Sequence, residues 1–304
     1  MFSVTTQMAA LIACGVLWRL LRPGDLDAEH TRRVLTTVVY YLLLPCLVLV
    51  VLWRAPLGTD SLRIAAIAAA GVLMGMTLAW GAARLIAAGG AVAGAMILAA
   101  GFPNATYMGL PVLENLFGET GRSIAIQYDL FACTPLLLSV GVLVAQRHGS
   151  AEREVHPLQD LLRVPPLWAA ALGVGLNLGG VPLMPWLEGL LSMLGGSVTP
   201  LMLFSLGLAL CFRAWRSDYV AALLPIIAIQ LMLMPLLALG LASGWGLSGD
   251  TLRGVVLEAA MPSMVLGLVF CDRFGLDTPL YAAAVTITTA LALVTLPLWF
   301  GWVG

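Results

Sequence analysis

The chain has 304 residues, of which 61% are hydrophobic and 10% charged, with a formal net charge of −1. A soluble globular domain carries about 25% charged residues, so this composition excludes one, and the near-zero charge gives no footing for nucleic-acid binding. The apolar runs match the roughly 20 residues of a spanning helix and predict an all-α integral membrane protein.

Charged and turn-rich clusters divide the chain into ten candidate spans, at about 3–21, 32–53, 62–84, 91–117, 123–146, 164–181, 186–212, 218–243, 251–274 and 279–302. Met1 to Leu17 lacks a basic leader and runs directly into Arg19, so it reads as a retained first span rather than a cleaved signal peptide. The fourth span carries Gly101-Phe102-Pro103-Asn104-Ala105-Thr106-Tyr107-Met108-Gly109-Leu110-Pro111. Each proline removes a backbone donor and clashes with the preceding turn, so this helix is expected to break near the bilayer centre. Polar backbone freed at that depth is tolerated only where protein or a water-filled cavity satisfies it, which marks a substrate or ion site. The longest polar connection, Arg147 to Arg163, has room for a loop and not for a folded catalytic unit.

All fifteen basic residues are arginine. With these spans, Arg19, Arg22, Arg32, Arg33, Arg84, Arg147, Arg153, Arg163, Arg213, Arg216 and Arg273 fall on one side, and Arg54, Arg63, Arg122 and Arg253 on the other. The positive-inside rule then places both termini on the non-cytoplasmic side of a multi-pass protein of the cell's inner membrane. Cys14, Cys46, Cys133, Cys211 and Cys271 occur singly and read as small core residues. His30, His148 and His156 fall in predicted cytoplasmic loops, so no metal site or catalytic cluster is expected. Trp53, Trp80, Trp168, Trp186, Trp245, Trp299 and Trp302 lie near span ends, as interfacial anchors do. Glu114 and Glu119 read as solvated residues at the outer end of span 4.

The second half echoes the first. Pro45 and Pro200 lie early in spans 2 and 7, Pro103 and Pro262 interrupt spans 4 and 9, and Pro135 and Pro297 fall in spans 5 and 10. Residues 1–147 therefore read as a first five-helix repeat, 148–163 as a cytoplasmic connecting loop and 164–304 as a second repeat. An odd number of spans per repeat inverts the second copy, and inverted repeats with matching interrupted helices are a transporter signature.

The run Pro103 to Leu113, followed by Phe117-Gly118, resembles the fourth span of the auxin efflux carrier family, which includes plant auxin carriers and bacterial carboxylate permeases. Ala259-Ala260-Met261-Pro262, with the later Phe274-Gly275, is similar to that family's ninth span. The resemblance implies two inverted five-helix repeats with broken crossing helices 4 and 9, a scaffold part and a transport part, an elevator-type movement and a homodimer. The bile acid sodium symporters are a more distant likeness, and their ninth span likewise carries a glutamate before the break. Glu258 stands where plant carriers typically have glutamine, and the long cytoplasmic loop of many plant members is missing.

A half-helix restarting after Pro103 or Pro262 presents unpaired amides and a partial positive charge, for which a carboxylate is a natural guest. The candidate substrate-binding residues are Pro103, Asn104, Thr106, Tyr107, Gly109 and Pro111 in the first crossing, Gln127 in span 5, and Pro262 and Ser263 in the second crossing. Asn104 either caps the broken backbone or contacts the substrate, and the two roles are compatible. Glu258 and Asp129, each about seven residues inside a span, are candidates for ion coupling through H+ or Na+, with an interfacial position as the alternative. The resulting expectation is a secondary transporter of small organic anions, with lipid as its surroundings and no enzymatic activity or cofactor. The alternatives are a sodium-coupled symporter of larger amphipathic acids and a membrane sensor that does not transport.

Overall fold

The computed structural model describes residues 2–150, 162–210 and 217–303. Arg153, His156, Cys211, Arg213 and Arg216 lie outside these residues, as does most of the connecting loop expected at 148–163. The described residues form helices without a strand, and their one bridge-type pairing joins Pro103 to Ser263.

The first half begins with α1 (Phe2–Leu21), α2 (Ala28–Arg54), α3 (Thr59–Leu85) and α4 (Gly90–Gly101). Helical structure then runs through Ala105–His148. It folds back at Gly118, whose φ of 59° suits a residue without a β-carbon. The two limbs, residues 105–117 (α5) and 119–148 (α6), lie antiparallel: Thr106 meets Asp129 and Glu114 meets Arg122. The second half comprises α7 (Pro165–Leu178), α8 (Pro185–Ala209), α9 (Val220–Gly244), α10 (Gly249–Ala259), α11 (Gly267–Phe274) and α12 (Thr278–Val303). Six stretches of the described residues are long and apolar enough to cross a membrane: α2, α3, the α5–α6 stretch, α8, α9 and α12. With 12, 14, 11 and 8 residues, α4, α7, α10 and α11 fall short of the length a spanning helix needs.

Proline accounts for most of the places where these helices widen. Of the five wide π-type turns among the described residues, four end two residues before a proline, at Leu43, Gly109, Cys133 and Leu233 before Pro45, Pro111, Pro135 and Pro235, and the fifth, Leu137–Gly141, is followed by none. The ring excludes a hydrogen bond from its own nitrogen, and one wider turn absorbs the register mismatch so that the helix continues. At the start of α2, Asp27 accepts from the His30 amide at 3.0 Å, which holds its carboxyl below the usual range.

In the packing, α1 lies against α8, α2 against α7 and α8, α3 against α4 and α9, and α10 against α9 and the α5–α6 hairpin. Helices α1 and α8 cross at Gly15 and Gly207, where a β-carbon on either residue would overlap the other helix's backbone. Large apolar side chains such as Leu20, Leu85 and Trp186 stand exposed, as on helices whose solvent is lipid. Two tryptophans depart from the anchor role. Trp53 and Trp299 are buried and donate to the carbonyls of Val181 and Leu231 at 2.8 and 2.9 Å, tying helices together instead of marking an interface.

Candidate functional site

Helix α4 ends because Phe102 precedes a proline and is held in an extended conformation, with φ −117° and ψ 111°. Helix α10 ends three residues before Pro262, and the chain is not helical again until α11. The two gaps meet. The Asn104 amide donates to the Pro262 carbonyl at 2.7 Å, and the Met264 amide donates to the Phe102 carbonyl at 2.9 Å. Backbone groups that the prolines deprive of helical partners are thus paired across the gap.

Neighbouring helices supply the remaining partners of this crossing. Gln230 of α9 donates through Nε2 to the Met261 carbonyl at 2.8 Å. Thr288 of α12 accepts from the Ser263 amide at 3.1 Å, and the Tyr281 hydroxyl donates to the Met264 carbonyl at 2.8 Å. The Asn104 carbonyl accepts from the amides of Met108 and Gly109 at 3.1 and 3.0 Å, starting α5 in its wide turn.

The polar side chains at the crossing are less well served. Asn104 is 1% exposed, and neither Oδ1 nor Nδ2 has a partner in the protein. Both carboxylate oxygens of Glu258 and the Ser263 hydroxyl share that condition at 0% exposure. A buried polar atom without a partner costs about 1–3 kcal/mol, and more when charged, so this many in one place point to a ligand, ion or water. The Glu258 carboxylate packs on Gly109, where a β-carbon would overlap it. Asp129 differs, because the hydroxyls of Thr106 and Thr134 each donate to one of its oxygens. Asp129 is itself buried.

These residues divide between two cavities. One, of about 70 Å³, is lined by Asn104, Thr106, Tyr107 and Asp129 together with Tyr40 and Thr134. The other, of about 310 Å³, is lined by Gln127, Ser123, Arg54 and Arg122. Gln127 donates to Ser123 at 2.7 Å and leaves its Oε1 unpartnered. Pro103, Pro262, Ser263, Gly109 and Glu258 belong to the crossing itself, and Pro111 lies further along α5, where its carbonyl accepts from Asn115. Sequence reasoning missed Tyr40, Thr134, Gln230 and Thr288. Gln230 carried the one usable signal, an amide alone in the apolar run between Pro225 and Pro235.

Glu114 is not a solvated loop residue. It pairs with Arg122 and accepts from Thr199 of α8 at 2.6 Å. Arg54 pairs with Glu188 at 2.7 Å and reaches Glu119 at 3.8 Å. At this end of the molecule charge is balanced locally, and the carboxylate of Glu119 remains largely exposed.

A multi-pass helical protein with a polar, hydrogen-bonded crossing of interrupted backbone in its interior has the construction of a membrane transporter. Comparison with known proteins gives the family. Residues 5–300 match the family model described as membrane transport protein, and the chain belongs to that family, the auxin efflux carrier family. Among its relatives is an uncharacterized transporter of Methanothermobacter thermautotrophicus, 32% identical over 297 residues that cover 96% of this chain and 95% of the relative. An uncharacterized transporter of Methanocaldococcus jannaschii is 29% identical over 69% of this chain and 68% of its own length. The uncharacterized transporter YfdV of Escherichia coli is 25% identical over 66% and 65%.

Proposed function

We propose that this protein is a secondary transporter that carries an organic carboxylate across the cell's inner membrane, binding it at the crossing of residues 102–104 and 262–264. The observation that carries this proposal is the pairing of those two gaps around Asn104 and Glu258, whose buried polar atoms lack protein partners. Asn104 can donate to a carboxylate from Nδ2, and the start of α5 adds the partial positive charge of its first turn.

The architecture that belongs with this function is ten helices in two inverted repeats, α1–α6 and α7–α12, with interrupted fourth and ninth spans. The packing supports it. The contact of α1 with α8 has its counterpart in that of α7 with α2, and the contact of α3 with α4 in that of α9 with α10. Helices α1, α2, α7 and α8 then form a scaffold, and the remainder moves against it as an elevator, in a homodimer with both termini on the non-cytoplasmic side. Glu258, buried without a counter-charge, favours a form in which a proton or Na+ accompanies the substrate, because an ionised carboxylate alone in this setting costs several kcal/mol.

The test is counterflow in proteoliposomes containing the purified protein, against a panel of labelled mono- and dicarboxylates. Saturable exchange of one acid above protein-free vesicles is expected. A folded, inserted protein that exchanges none of them would overturn the carboxylate assignment.

A further inference from the structure

We infer that the larger cavity, separate from the crossing, binds an α-amino acid with an aliphatic side chain.

The depth of this cavity is set by α6. Glu119, Ser123 and Gln127 all line it and follow one another every fourth residue on one face of that helix, a distance of about 12 Å from first to last. Exposure falls along the same line, from 83% for the Glu119 side chain to 6% at Ser123 and 3% at Gln127. Glu119 therefore stands at the mouth and Gln127 at the floor. The volume of about 310 Å³ accommodates a molecule of amino-acid size.

Most charges around the mouth already have partners. Arg54 pairs with Glu188, Arg63 with Asp60 and Arg122 with Glu114. Glu119 is left with a 3.8 Å contact to the already paired Arg54, so the surplus charge at the mouth is negative and favours a ligand with a cationic group. At the floor, Gln127 spends its Nε2 on Ser123 and keeps an unpartnered acceptor, Oε1. One lining donor is also unpartnered, the buried Nε of Arg122. An ammonium donating to Gln127 Oε1 and a carboxylate accepting from Arg122 Nε satisfy both atoms in one small molecule. An amine alone would leave the Arg122 donor unmet, and an acid alone would leave the Gln127 acceptor unmet and bring a bare anion past Glu119. Val50, Val51, Ile64 and Ile124 supply the apolar part of the lining. Each methylene placed against them gains about fourfold in affinity from leaving water, which selects an aliphatic side chain.

Calorimetric titration of the detergent-purified protein tests the inference with four ligands. These are leucine, 4-methylpentanoate, which lacks its ammonium, isopentylamine, which lacks its carboxylate, and alanine. Leucine is expected to bind about tenfold or more tightly than each of the other three. Gln127→Leu is expected to weaken leucine binding about tenfold, and Gln127→Glu, which keeps an acceptor at the floor, to retain it. Val51→Phe, which fills part of the apolar wall, is expected to weaken leucine as well. No leucine binding, equal affinity for leucine and either the acid or the amine, or equal affinity for leucine and alanine would each overturn the inference. So would leucine affinity unchanged in Gln127→Leu and Val51→Phe at near wild-type melting temperature. If Gln127→Leu does not fold, Val51→Phe decides alone. The readout is binding, so it is independent of whether any acid is exchanged in the proteoliposome assay.

Discussion

The carboxylate of Glu258 occupies the space that a β-carbon on Gly109 would fill, so the end of α10 and the first turn of α5 touch through an acid and a bare α-carbon. This contact joins the two halves of the chain at the crossing, and it makes Gly109 a matter of space rather than of backbone freedom. Gly109→Ala is expected to lower the melting temperature by several degrees and abolish transport, because the new methyl must displace a buried carboxylate. Adding Glu258→Ala should recover part of the lost stability. A double-mutant cycle gives the coupling, expected at about 1 kcal/mol or more, and purely additive effects would contradict the contact.

Glu258→Gln keeps the shape of the side chain and removes its charge. If Glu258 holds the coupling ion, the variant should still bind substrate but lose the dependence of uptake on the imposed proton or Na+ gradient. The readout is initial uptake in proteoliposomes under each gradient in turn. A variant whose gradient response equals that of the wild type would remove Glu258 from coupling.

The bond from Thr199 to Glu114, 2.6 Å long, ties α8 to α5, two helices that the proposed movement displaces relative to each other. A cysteine pair at Glu114 and Thr199, in a background without the native cysteines, is expected to stop transport when oxidised and restore it on reduction. Thr199→Val should leave substrate affinity unchanged and alter the rate of turnover, since one hydrogen bond of about 1 kcal/mol is removed from a single state. Full transport with the disulfide formed would contradict relative movement at this contact.

Gln230 reaches the crossing from outside it, donating to the Met261 carbonyl. Gln230→Leu leaves that buried carbonyl without this donor, at an expected cost of about 1–3 kcal/mol. The loss should be visible as a lower melting temperature and weaker substrate binding together. A leucine variant as stable as the wild type would show that the carbonyl finds another partner.

Much of this site could be read from residue order, and part of it could not. Pro103 and Pro262 stand out because a proline within an apolar run has a local backbone consequence, and α4 and α10 end just before them. Asn104 and Glu258 stand out because polar groups are costly at that depth. The hydrogen bonds between residues 102–104 and 262–264 are tertiary, and nothing in either segment alone specifies its partner. Tyr40 and Thr134 were invisible for another reason, since a single tyrosine or threonine in a membrane helix ordinarily packs without contacting a ligand. Glu114 was misread because a count of residues from the span's end cannot foresee that α5 turns back at Gly118 and brings Arg122 beside it. None of the π-type turns before Pro45, Pro111, Pro135 and Pro235 was foreseen, although the proline that causes each is plain in the sequence.

If the substrate is held at Asn104, truncating that side chain removes its anchor, and counterflow by Asn104→Ala beside the wild type is the decisive measurement. The variant is expected to fold, insert and lose exchange of the transported acid by about a hundredfold, which corresponds to about 2.7 kcal/mol of lost interaction. Exchange by Asn104→Ala at the wild-type rate and affinity would contradict the claim and move the site away from the crossing.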